Sequence, residues 1–346
     1  MNDSERLDTL QEMLMYKRPE GSKTERKFIN RYIKPLGVGK DGAGNLIKRI
    51  GESPVLWSCH TDTVHNRGGK QAVERAGDLF GLAEKGTWFK GSNCLGADDT
   101  AGVWLMSEMI KAKTPGLYIF HRGEEIGGVG SKFIANKTPD LLKGIKYAIA
   151  LDRSGANDVI THQWGRCASD DFADSLASGL NTGTGLRYKR DPAGIFTDTA
   201  NYVDLVPECT NLSVGYRGAH SANEIQDGAH CLALREALIG LDTSTLVESR
   251  KAGEDGGYSD WEKRYYDLNY TSHEKADYTC YGSTTTTQKG WTSDVWDEGE
   301  QSPPRHRTLL GLVKDYPEEV ADWLESYGVD ETEMRSYIAD IRRWNR

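Results

Sequence analysis

The chain is poor in several features, and each shortage excludes a class of protein. No apolar run approaches the ~18 residues of a membrane-spanning helix, so an integral helical membrane protein is not expected. The opening Met1-Asn2-Asp3-Ser4-Glu5-Arg6 has no basic segment leading into an apolar one. That argues against a secretory signal and for a cytoplasmic protein. Positive charge is in deficit: 43 Lys and Arg stand against 52 Asp and Glu, a net charge of −9. A general nucleic-acid binder carries the opposite balance, whereas an acidic chain suits a protein that holds cations. The six cysteines are scattered without a C-x-x-C pair, so reduced, buried thiols are expected rather than zinc fingers or disulfides. Only 37% of the 346 residues are apolar, against the ~45% of a typical domain when glycine is counted too, so part of the chain should stand outside the core.

That part is easy to locate. From Glu248 to Thr308 the only branched aliphatic residues are Leu268 and Val295, among nine Tyr and Trp, a Thr284–Thr287 run and Pro303-Pro304. Such a stretch cannot build its own core. It reads either as a polar linker or as a strap whose aromatics dock on the preceding domain. Periodicity returns in the tail, 309–346. Pro317 opens one helix with Val320, Trp323 and Leu324, and Asp330 caps a second with Met334, Ile338 and Ile341. This helical hairpin is too small to be stable alone.

Residues 1–247 read as one α/β domain. Leu7, Leu10 and Leu14 share a helix face, and Ser22-Lys23-Thr24-Glu25 forms a capping box before a second helix. Strands are expected at Val55–Cys59, Leu117–His121, Tyr147–Leu151 and Asn211–Tyr216. Helices are expected at Thr100–Lys111, with Val103, Met106 and Ile110 on one stripe, and at Asp170–Ser178. Alternation of this kind gives a mixed, mostly parallel sheet flanked by helices.

Five short motifs carry the chemistry: His60-Thr61-Asp62, Asp98-Asp99, Glu124-Glu125, Asp152 and His220. Each follows an expected strand or, for Asp98, opens a helix. The carboxyl ends of strands in an open α/β sheet converge on one crevice, so these distant residues should meet there. Each has an ordinary reading as well: Asp98-Asp99 as a helix cap, Glu124-Glu125 as a solvated loop, His220 as a surface histidine. Together they are harder to dismiss. Four carboxylates around two imidazoles would repel by several kcal/mol unless cations sat between them. Asp62, two residues beyond His60 on the same face, is placed to take the second ring N–H and fix the tautomer. Neighbours on an extended chain point opposite ways, so one of the two glutamates can ligate while the other faces a water.

The order of these motifs resembles that of the two-zinc exopeptidases, both peptidase T with related amidohydrolases and the single-domain bacterial aminopeptidases. The likeness covers roughly 70% of the chain. It also includes Asp41-Gly42-Ala43-Gly44-Asn45-Leu46 before the first ligand strand, Leu95-Gly96-Ala97-Asp98-Asp99, Gly123-Glu124-Glu125-Ile126-Gly127 and Thr197-Asp198. By position, the resemblance implies that Asp98 bridges two divalent metal ions. His60 and Asp152 would complete one site, Glu125 and His220 the other, with Glu124 as general base and Asp62 behind the ligands. Zinc suits the mixed His and carboxylate set, and cobalt or manganese could replace it. The implied activity is hydrolysis of a small peptide at its chain end by an aminopeptidase or dipeptidase, with a metal-bridged water as nucleophile.

The sequence departs from that pattern in places. Only 67 residues separate Asp152 from His220, too few for the dimerisation domain of peptidase T, and the oligomeric state is left open. Thr100 follows the Asp pair where many relatives carry lysine or aspartate. Tyr202 and Tyr216 are the nearby candidates for oxyanion stabilisation. Arg153 and Arg217 are candidates for a substrate carboxylate, Asp99 and Asp198 for a free α-amine, and His162 and Gln163 for the cleft edge. A carboxypeptidase or N-acyl amino acid deacylase would use the same scaffold. A metal-stabilised binding or assembly protein is the alternative from another class. The Gly127–Lys132 run fails the G-x-x-x-x-G-K-[ST] order, so no nucleotide is expected there.

Overall fold

Short runs dense in Val, Leu, Ile and aromatics fold as strands here because both of their faces are covered. The computed structural model describes residues 2–83, 92–163, 165–253 and Pro317. Those up to 253 belong to a compact unit of Met1–His273. The expected linker or strap and the helical hairpin lie outside the described residues, apart from 248–253 and Pro317.

Eight strands form the main sheet: β1 (Gly39–Lys40), β2 (Leu46–Ile50), β3 (Val55–His60), β4 (Gly116–His121), β5 (Tyr147–Arg153), β6 (Asp158–Ile160), β7 (Lys189–Asp191) and β8 (Glu208–Ser213). Their spatial order is β7-β6-β8-β5-β3-β4-β2-β1. The central strands β8, β5, β3 and β4 run parallel, while β4–β2, β2–β1 and β6–β8 are antiparallel. Every residue of β3, β4 and β8 is buried, as strands covered on both faces must be. Trp57, Tyr118 and Phe120 lie among the largest fully buried side chains. A separate four-stranded sheet joins Val73–Ala76, Leu79–Leu82, Ile225–Asp227 and Tyr216–Arg217.

The helices are α1 (Asp3–Leu14), α2 (Lys23–Phe28), α3 (Ala97–Lys111), α4 (Val129–Lys137), α5 (Asp170–Asn181) and α6 (Gly228–Gly240). Three local expectations need correcting. The last strand ends at Ser213 instead of reaching Tyr216, because Gly215, with φ of 90°, turns the chain into the smaller sheet. The capping box is only half formed. Ser22 accepts from the Glu25 amide at 3.0 Å, but the Glu25 carboxylate takes the Gly21 amide and the Thr61 hydroxyl instead. Helix α3 shows no single apolar stripe. It is buried from Asp99 to Ile110, packed on β3 and β5 with α1 and α6 beside it. Its one buried carboxylate on that stretch beyond Asp99, Glu108, is paired with Arg6, Lys111 and Arg235.

The packing of α3 on β5 is close at Gly102, where an added Cβ would run into the Leu151 carbonyl and the Asp99 carboxylate. Gly102→Ala should therefore destabilise, although alanine raises helix propensity by about 1 kcal/mol. Overpacking costs about 1–3 kcal/mol. Thermal unfolding of the variant should show a lower Tm; an unchanged or higher value would mean that the helix shifts freely on the sheet.

Candidate metal centre

The centre lies at the carboxyl ends of the parallel strands. His60 is the last residue of β3, Asp152 lies at the end of β5, and the Glu124-Glu125 loop follows β4. His60 is 1% exposed. Its Nδ1 is 3.1 Å from the Asp62 carbonyl and 3.5 Å from the Asp62 carboxylate, so the backbone oxygen is the nearer partner of the ring N–H. The Asp62 carboxylate also accepts from the amides of Gly123, Glu124 and Glu125 at 3.0, 3.2 and 3.2 Å. Asp62 therefore stands against both the imidazole and the backbone of the glutamate loop.

The other imidazole nitrogen faces the cluster. His60 Nε2 is 3.0 Å from Asp98 Oδ1 and 3.4 Å from Asp152 Oδ1. Asp98 turns its second oxygen away from His60, to within 3.2 Å of His220 Nε2, which in turn lies 3.4 Å from Glu125 Oε2. The groups thus form a row, Asp152, His60, Asp98, His220, Glu125, with Asp98 in the middle. The ligand atoms of His60, Asp98 and Glu125 lie within 4.8 Å of one another, as do those of His60, Asp99 and Asp152.

Two oxygens in this row, Asp152 Oδ1 and Glu125 Oε1, are buried without a hydrogen-bond partner among the described residues. A buried carboxylate oxygen with no donor costs free energy. One sits at each end of the row, beside a different histidine, and a cation at each end would satisfy both. The residues present therefore fit two divalent ions.

Electrostatics points the same way. Burial and the Asp98 charge push Glu125 up to about 7 and Asp152 up to about 6. Burial, with the charges of Asp152, Asp198 and Glu125, holds Glu124 well above the ordinary glutamate value. Burial opposes charge on His60, but the carboxylates of Asp152, Asp62 and Asp98 overcome it and raise its affinity for a proton. Hydrogen bonds to Asp98 and Glu125 hold His220 up to about 11. Burial works against ionisation of Asp98, but its bonds to His220 and His60 keep it well below the carboxylate range. Protons are drawn to positions where cations would serve.

Several candidates are enclosed or already paired. Asp99 is fully buried and accepts from the amides of His60 and Gly102, so it caps the regular part of α3 and braces His60 instead of binding an amine at the rim. Asp198 is sealed behind the centre, bonded to Ser131 and 3.4 Å from His121. Tyr202 donates to or accepts from His121 in the interior, and Tyr216 donates to the Asp152 carbonyl, so neither hydroxyl is free for an oxyanion. Arg153 faces Asp158 at 3.7 Å, and Arg217 is exposed. His162 and Gln163 are buried, not at a cleft edge. Ser169 caps α5, accepting from the Phe172 amide.

Three further residues support the centre, and of these only Thr197 stands in a motif quoted from the sequence, Thr197-Asp198. Thr197 donates to Asp152 Oδ2 at 2.7 Å. Arg18, fully buried over the Phe28 ring, donates to the Thr61 carbonyl and the Thr100 hydroxyl, neighbours of His60 and Asp99. Glu224 accepts three backbone amides of the segment leading to Asp98.

The fold has clear relatives among solved structures. Aminopeptidase PepT from Bacillus cereus aligns with a TM-score of 0.57 and 15% identity, over 69% of this chain and 98% of that one. A tripeptidase from Staphylococcus aureus aligns at 0.55 and 15%, over 69% and 98%. Aminopeptidase APDkam598 from Desulfurococcus kamchatkensis aligns at 0.51 and 13%, over 69% and 94%. The chain shares the fold of these peptidases. No family model and no curated protein matches the sequence, so this likeness is carried by the fold. It is the fold that the motif order implied, with the row of His and carboxylate side chains at its strand ends.

The excess of negative charge has a consequence for stability. Glu125, raised from 4.5, and Asp152, raised from 3.8, favour the folded state most below those ordinary values. That contribution is lost as pH rises through about 7 and about 6. His220 adds a further loss above its ordinary 6.5. Metal-free protein should therefore melt at a lower temperature at pH 8 than at pH 5, and zinc should raise Tm more at pH 8. Melting curves with chelator and with zinc at both pH values test this; a metal-free Tm that does not fall would contradict it.

Proposed function

We propose that the chain is a two-metal exopeptidase acting as an aminopeptidase or dipeptidase on small peptides. The observation that carries the reading is the row itself, in which Asp98 presents one oxygen to each histidine while an unpartnered carboxylate oxygen stands at either end. His60 and Asp152 would hold one ion, His220 and Glu125 the other, and Asp98 would be shared between them. Zinc fits a set of two imidazoles and three carboxylates, and cobalt or manganese is an acceptable substitute. When bound, such a pair supplies Lewis acidity and brings the pKa of a coordinated water towards ~7.

The protein's own groups do the rest. Glu124 follows the loop that Asp62 holds by its amides, and its carboxyl is driven towards the protonated form by burial and the surrounding charge. A carboxyl tuned upwards can take a proton from attacking water and return it to the leaving amine, a role worth roughly 10²–10⁴ in rate. Asp62 sets where that carboxyl begins, because it fixes the backbone at 123–125 from below. Thr197 and the Asp62 carbonyl orient Asp152 and His60 in turn. The peptidase fold supports hydrolysis at a chain end over a metal-stabilised assembly protein, which has no use for a base such as Glu124.

Amino-terminal nitroanilides and N-blocked dipeptides separate the candidate activities, since only an aminopeptidase requires a free amine. Chelator-sensitive cleavage of the former is expected, whereas cleavage confined to N-blocked substrates would assign a carboxypeptidase or deacylase. Glu124→Gln should lower kcat by about 10²–10⁴-fold while the bound metal, measured by elemental analysis, stays at the wild-type level. Full turnover in that variant would remove Glu124 from the mechanism, and loss of metal would make it a ligand.

A further inference from the structure

Glu224 is a carboxylate where the fold has no solvent for it: its residue is 1% exposed. Its charge is met entirely by backbone. Oε2 accepts from the amides of Leu95 and Gly96, both at 2.8 Å, and Oε1 accepts from the amide of Asp98 at 3.1 Å. The donors belong to the segment that ends in the shared aspartate. The acceptor lies four residues after His220, on the segment that brings in the far histidine. One buried side chain therefore ties together the two pieces of chain that must be in register for Asp98 to face His220.

The two sides of the centre differ in how much they need this tie. His60 ends a buried strand and is braced by Asp99, which accepts its amide at 3.1 Å, and by the Asp62 carbonyl at its ring. Among the described residues His220 has no such backbone brace. Its side chain is 50% exposed, and its backbone sits at φ of 62° in the left-handed region, which is unfavourable for a side chain of its size. We propose that Glu224 is a positioning residue that fixes Asp98 against His220 and so sets the metal affinity of the His220 side of the centre. The inference rests on the two-metal reading given above.

The geometry supplies a discriminating variant. In Glu224→Gln the amide oxygen can still serve the Leu95 and Gly96 amides, but the NH₂ group then confronts the Asp98 amide, donor against donor. Only the bond to the shared residue is lost. Titration of metal-free protein with zinc alone, followed by calorimetry and repeated with cobalt by absorption, resolves the two binding steps. Wild type should take up two ions. Glu224→Gln should weaken one of the two steps by about 10–100-fold and leave the other at its wild-type value, the usual cost of removing a group that holds a ligand in place. The unpaired donors should lower its metal-free Tm modestly, so the two binding steps are the deciding readout. Glu224→Ala should weaken the same step further; if that variant does not fold, the glutamine variant still decides. Two wild-type steps in Glu224→Gln would overturn the proposal and leave the metal reading intact. Equal weakening of both steps would overturn it as well, in favour of a general structural role. A wild-type protein that binds no zinc would overturn both.

Discussion

Everything in this structure is arranged around one carboxylate, Asp98, held between two histidines that need it at once. Its oxygens lie 3.0 and 3.2 Å from His60 and His220. Around it stand Asp152, Glu124 and Glu125, all pushed towards their protonated forms. At close range and an effective dielectric near ~20, two like charges repel by about 4 kcal/mol. A protein does not collect so many buried anions without something to neutralise them. Protons do this partly, and the proposed pair of divalent ions would do it fully.

The sheet explains how such a cluster can be built. Parallel strands β3, β4 and β5 release their chains at one edge, so residues far apart in sequence arrive together. Behind them, a layer of buried groups holds the cluster in place. Asp62 gathers the amides of the glutamate loop, Asp99 braces the end of β3, Thr197 steadies Asp152, and Glu224 anchors the approach to Asp98. Arg18 ties the opening segment to both Thr61 and Thr100. Asp62, Asp99 and Glu224 meet their buried charge with backbone amides, which is a condition for keeping it inside.

Much of this was legible before any coordinates, and the reason is local. Strands β3, β4 and β5 announce themselves as apolar runs, and their ends carry His60, the glutamate pair and Asp152 within one or a few residues. The convergence of these three positions follows from the parallel topology. What stayed hidden depends on tertiary contact. Asp99 and Asp198 look like rim carboxylates in sequence but are fully enclosed, because burial is decided by what α3 and the chain near Tyr202 pack against. Tyr202 and Tyr216 are aromatic hydroxyls near the right motifs, yet both are consumed by interior bonds. Glu224 has no signature at all, since backbone amides are its partners and every residue but proline offers one. The strand overrun to Tyr216 has a simpler cause: apolar alternation continues past Gly215, and only the turn at that glycine shows where the sheet ends.

The most direct test of the central claim is anomalous diffraction at the zinc edge from crystals of the zinc-loaded protein. Two peaks should appear, one on each side of the Asp98 carboxylate, about 3.5–4 Å apart, with His60 and Asp152 at one and His220 and Glu125 at the other. An empty cluster, or zinc bound elsewhere while Asp98 keeps its two histidines as direct partners, would contradict the account.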